Sequence, residues 1–75
     1  RCAALHVARL QPGGTVTLPE APFVHLFLPE GAVILEGAGP LVAGDAVRFT
    51  GTGGQVVTAT QPSEILVWEM HATLA

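Results

Sequence analysis

The chain has no lysine, one cysteine, one serine, and charged residues at only 12% of its 75 positions. Each shortage excludes something. With Cys2 alone, no internal disulfide can form, and a lone thiol fits a reducing cytoplasm, where the protein is expected. Three arginines against six carboxylates give a net charge of −3, which leaves no basic stripe for phosphates and excludes direct nucleic-acid binding as the expected role. The longest apolar run, Phe23 to Leu28, is interrupted by His25 and ended by Pro29. It falls far short of the ~20 residues of a membrane span, and no basic n-region precedes an apolar h-region. Nucleophilic catalysis lacks its parts: Ser63 has no G-x-S-x-G elbow around it, and Cys2 lies at the terminus without a fixed base. The Gly51-Thr52-Gly53-Gly54 stretch lacks the lysine and the following helix of a phosphate loop, so it reads as a hairpin loop.

A chain of this size forms one domain and buries only about two-thirds of its unfolded surface. Its core alone supplies ~3–5 kcal/mol, so a metal or a partner is the expected supplement where disulfides are absent. So few charges leave either a neutral Gly/Thr-rich surface on a compact β domain or apolar patches of the kind that mark interfaces, and the small core and missing disulfide favour the second. The chain opens at Arg1 without a methionine and enters a strand pattern within a few residues, which reads as a piece of a longer protein.

What is present is β-sheet grammar. Leu5, Val7 and Arg9 alternate with His6, Ala8 and Leu10. Thr15 to Leu18 is β-branched, Phe23 to Leu28 is the next strand, and Ala32 to Glu36 alternates strictly, with Val33 and Leu35 on one face. A short strand at Leu41-Val42 leads into a turn at Ala43-Gly44-Asp45. Val47 and Phe49 then share a face, Gln55 to Thr60 is β-branched, and Ile65 to His71 closes the chain. In that last strand Ile65, Val67 and Glu69 oppose Leu66, Trp68 and Met70. Prolines and glycines fall between the runs, as strands require. The expectation is an all-β barrel or sandwich of seven to eight short strands, with no convincing helix.

Three stretches carry a resemblance. Phe23-x-His25, four residues, Glu30, six residues, Gly37 has the outline of the cupin metal motif, with Phe23 where its first histidine would stand. Leu41-Val42-Ala43-Gly44-Asp45 is similar to the L-x-x-G-D step of cupins. Ser63 to Glu69, with Val24 to Gly31, resembles the closing strand and the hairpin approach of pirin-like proteins. The resemblance covers roughly residues 5–69. It implies a small cupin (RmlC-like jelly-roll) barrel, residues 1–75 forming a single degenerate cupin domain, the C-terminal part of a two-domain pirin-like protein. In that family the N-terminal cupin holds a metal, usually iron, through histidines and a glutamate. The C-terminal cupin has generally lost those ligands and packs on the first. Some members are described as quercetin 2,3-dioxygenases and others as transcriptional co-regulators. Of the second cupin motif only Gly39 and Gly44-Asp45 survive in outline, because no histidine or asparagine stands at the spacing it requires and Val56 to Thr60 offers nothing that binds metal.

The resemblance therefore implies no metal in this chain, with iron or another divalent metal held by the missing N-terminal cupin. His25 and Glu30 are the only residues at ligand-like spacing, and a centre needs three or four converging ligands. A third would have to come from His6 or His71; otherwise His25 is a half-buried structural histidine and Glu30 a solvated turn carboxylate. Asp45 is expected to bond its own turn. Phe23, Phe27, Trp68 and Met70 are candidates for a pocket or an interface, and the choice depends on which face of each strand points inward. The expected partners are the N-terminal cupin of the same protein or a second copy of this chain. The alternatives that stay open are a part of a quercetin 2,3-dioxygenase-type enzyme with its activity in the missing half, or a stand-alone small-ligand-binding cupin.

Overall fold

A computed structural model of the chain describes residues 3–51 and 53–70. His71 and Cys2, raised above as a candidate ligand and a candidate nucleophile, lie outside the described residues. Among those residues the chain forms eight strands: β1 (Ala3–Leu10), β2 (Thr15–Thr17), β3 (Phe23–Glu30), β4 (Ala32–Leu35), β5 (Gly39–Val42), β6 (Ala46–Thr50), β7 (Val56–Ala59) and β8 (Ser63–Met70). They build two four-stranded sheets, ordered β1-β8-β3-β6 and β2-β7-β4-β5, and every pairing is antiparallel. The chain passes from one sheet to the other at most of its turns, which is the wiring of a jelly roll. No helix among the described residues is long and apolar enough to cross a membrane.

The core is the space between the sheets. Val24, Leu26 and Leu28 of β3 and Ile65 and Val67 of β8 face Val33, Leu35, Leu41, Val57 and Ala59 of the second sheet. Each side alternates with a period of two, so one buried face fixes the register of the strand that carries it. The observed alternation agrees with the faces read from the sequence: Val33 and Leu35 are buried while Ile34 between them is exposed.

The strands differ from the expected bounds where proline sits. Pro29 lies within β3, a central strand, where a missing N–H breaks the ladder. It is accommodated because the pairing with β8 shifts register between Phe27 and Glu30, the irregularity at which proline is tolerated. Gly39-Pro40, expected in a turn, opens β5 instead. There Pro40 needs no outward partner, because β5 is the edge of its sheet.

The sheets are joined at one end by the turn that enters β8. The buried Ser63 hydroxyl accepts from Ala32 N at 3.1 Å and lies 2.8 Å from Gln61 O and 3.1 Å from Ala32 O. Thr60 N donates to the same Ala32 carbonyl at 2.9 Å. Gly31 leaves room for this clamp: its φ is +98°, and a Cβ there would fall 2.2 Å from Ser63 Oγ. The Gly44-Asp45 turn works as expected. Asp45 Oδ2 accepts from Val42 N at 2.9 Å, and Asp45 N donates to Val42 O at 3.0 Å.

Candidate functional site: the outer face of the β1-β8-β3-β6 sheet

With Val24, Leu26, Ile65 and Val67 turned inward, the alternate residues of the same strands must point away from the barrel. The pairing registers set them in rows across four strands. One row reads Met70, Phe23, Thr50; the next reads Leu5, Trp68, His25, Arg48; the third reads Val7, Leu66, Phe27, Ala46. Aromatic and long aliphatic side chains thus gather from segments more than 60 residues apart in the chain. Leu5 and Val7 remain 53% and 56% exposed, although their neighbours in the row are half buried. A fourth row is charged: Arg9 Nε sits 3.7 Å from Glu64 Oε2, and Glu30 pairs with Glu64 beyond the register shift.

At one end of this face is an open pocket of about 600 Å³, lined by Phe23, His25, Arg48, Thr50, Trp68 and Met70 among others. The His25 and Trp68 rings pack with centroids 5.6 Å apart and planes tilted by 58°, within the separation at which aromatic rings attract. Arg48 stands beside His25 on the neighbouring strand.

These positions change what the motif means. Phe23 and His25 both point outward, away from the barrel interior, with Trp68 and Arg48 as neighbours. Glu30 is exposed at the far end of the strand, five residues and about 16 Å of extended chain from His25. The structure does not bring these two together. Phe23, Phe27, Trp68 and Met70 it does bring together, on the outer sheet face and not inside a barrel mouth.

The interior offers little to a metal ion. Its walls are aliphatic apart from the partly buried Phe49, and the buried polar side chain Ser63 is already engaged by Ala32 and Gln61. At the rim, inward-facing His6 Nε2 contacts Glu69 Oε1, a pairing 63 residues apart in sequence that strand reading did not anticipate. Among the described residues no three His, Cys, Asp or Glu side chains are grouped so that they could hold a metal ion. The donors among the described residues do not make up the three or four converging ligands of a mononuclear centre.

Arg48 was also missed. Its outward direction follows from the alternation with Val47 and Phe49, but only strand pairing sets it beside His25 and Trp68.

Solved structures share this architecture. A cupin superfamily protein from Desulfitobacterium hafniense superposes with a TM-score of 0.81 over 95% of this chain and 69% of its own, at 11% identity. A sugar phosphate isomerase from a cupin superfamily, from Silicibacter pomeroyi, gives 0.78 over 96% of this chain and 52% of its own, at 24% identity. The cupin domain of an XRE family transcriptional regulator from Enterobacter cloacae gives 0.68 at 16% identity, over 97% of this chain and 99% of that one. The fold is therefore that of the cupin superfamily, a small antiparallel jelly-roll barrel. No family model matches the chain. In sequence it is 60% identical over 72 residues to provisionally named quercetin 2,3-dioxygenases of Mycobacterium tuberculosis and Mycobacterium bovis. The match takes in 96% of this chain but only 30% of theirs. The chain thus spans less than a third of the length of the curated relatives it matches.

Proposed function

We propose that this chain is the non-catalytic C-terminal cupin domain of a pirin-like protein, and that it packs on a metal-bearing N-terminal cupin of the same polypeptide. The observation that carries this reading is the outer face of the β1-β8-β3-β6 sheet. It sets Phe23, Phe27, Leu66, Trp68 and Met70 side by side, next to exposed Leu5 and Val7. An apolar, aromatic-rich face of this kind suits burial against another domain. The apolar lining of the interior supports the non-catalytic part of the reading. Iron or another divalent metal belongs to the partner cupin in this reading, and the protein works in the cytoplasm.

The name of the 60% identical relatives favours a second, compatible reading: the longer protein is a quercetin 2,3-dioxygenase-type enzyme whose reaction is housed outside this chain. The two readings agree on this domain and differ on the other. The test is the gene itself. The sequence encoded upstream of Arg1 is expected to contain an intact H-x-H cupin motif, and elemental analysis of the whole product should find about one metal per polypeptide. Stoichiometric metal bound to residues 1–75 alone would overturn the assignment. Quercetin turnover by the whole product, abolished by substituting the upstream histidines, would establish the second reading.

A further inference from the structure

We infer that the pocket between Trp68 and Arg48 receives a carboxylate side chain, borne beside an apolar residue, from the part of the polypeptide outside residues 1–75. This rests on the domain-packing reading above and adds the chemistry of the contact.

Arg48 shares a row with Leu5, Trp68 and His25 and lines the same pocket as Phe23 and Met70. A partner that seats on the aromatic residues therefore also takes water from the guanidinium. A desolvated charge without a counter-charge is strongly unfavourable, and arginine cannot relieve it by losing a proton.

Among the described residues no carboxylate stands beside Arg48 on this face. Arg48 has no hydrogen-bond or ion-pair partner among the described residues, whereas Arg9 is held by Glu64. Around Arg48 on this face lie Ala46, Thr50, His25, Phe23 and Phe27, none of them acidic. The carboxylates of the same face, Glu64 and Glu30, belong to the charged row, about 13 Å further along the strands.

A chain with six carboxylates and three arginines thus leaves one arginine in a surface pocket that it shares with Phe23, Trp68 and Met70. The complementary group is a carboxylate, which the guanidinium fork can hold in a bidentate pair, flanked by a side chain that packs on Trp68. A second copy of this chain fits less well. A two-fold contact centred on the pocket would set His25 and Arg48 against the same pair.

The experiment uses the whole gene product and the Arg48→Lys variant, treated with a water-soluble carbodiimide. The reagent joins the introduced amine to a carboxylate in contact with it as an amide, with loss of water. Oxidative footprinting of Trp68 and Met70 reports separately whether the face is covered. The expected result is protection of both residues and an intramolecular cross-link from position 48 to an Asp or Glu outside residues 1–75. In Arg48→Met, amide exchange in the 46–50 segment should rise on the order of tenfold or more, as for loss of one member of a buried charge pair. Protection of Trp68 and Met70 with no cross-link, and no change in Arg48→Met, would overturn this inference and leave the domain-packing reading standing. Oxidation at the rate of the denatured protein would overturn the packing reading, and this inference with it. A cross-link joining two polypeptides would overturn it in favour of a second copy.

Discussion

Gly31 shows how much one position can decide. Its backbone is left-handed at φ +98°, and an added Cβ would meet Ser63 Oγ at 2.2 Å and Pro62 O at 2.5 Å. Neither neighbour can retreat, because Ser63 is buried and bonded to Ala32. Gly31→Ala combines backbone strain with overpacking and should destabilise the domain by roughly 3 kcal/mol, read as a lower urea midpoint with an unchanged slope. Phe23 carries a prediction of the opposite kind. Phe23→His would restore the H-x-H spelling of the motif, yet positions 23 and 25 both face outward, beside Arg48 and Trp68. The variant should therefore retain no stoichiometric iron, nickel or zinc after dialysis against a chelator, as measured by elemental analysis. Retention of one equivalent would show that a third ligand is within reach.

At the scale of the element, β3 and β8 work on both faces. Their inner residues make the core, and their outer residues make the candidate interface, so substitutions on the two faces should separate cleanly. Leu26 is fully buried, and Leu26→Ala should cost about 2–5 kcal/mol. Leu5, in the row beside Trp68, is half exposed, and Leu5→Ala should change the stability of the isolated domain by less than about 1 kcal/mol. Chemical denaturation of both variants checks the contrast, and equal losses would mean that the outer face is already buried within this chain. Much of this element was legible beforehand. The alternation of Ile65, Val67 and Glu69 against Leu66, Trp68 and Met70 placed Trp68 and Met70 on one side. Pro29 misled the reading of β3, because a proline reads as a strand end unless an irregularity is there to absorb it.

For the molecule as a whole, size sets the balance. A domain of this length has a stability of roughly 4–11 kcal/mol on per-residue averages, with no internal disulfide available to add to it. The outer sheet face should then draw the isolated domain into self-association. Sedimentation of residues 1–75 at micromolar concentration is expected to show dimers or larger species. Val7→Lys combined with Trp68→Ser should shift the population toward monomer, by weakening apolar contact and adding like charge. A wild-type domain that stays monomeric would count against an exposed interface. Cupins as different as an isomerase and a regulator domain share this fold, so function resides in the groups a barrel carries and not in the barrel itself.

The sequence by itself determined the all-β class, the strands away from their proline-bearing ends, which residues of each strand share a face, and the absence of an internal disulfide. Asp45 bonding its own turn was equally readable. These are local properties: a two-residue period, turn chemistry and composition act over a few neighbouring residues. The tertiary structure decided which face was inside, that Phe23 and His25 point away from the barrel, and that His6 meets Glu69. It also decided that Trp68, His25 and Arg48 stand in one row. Those depend on pairings between strands whose residues lie more than 60 positions apart, set by which faces bury together, and no local pattern encodes them.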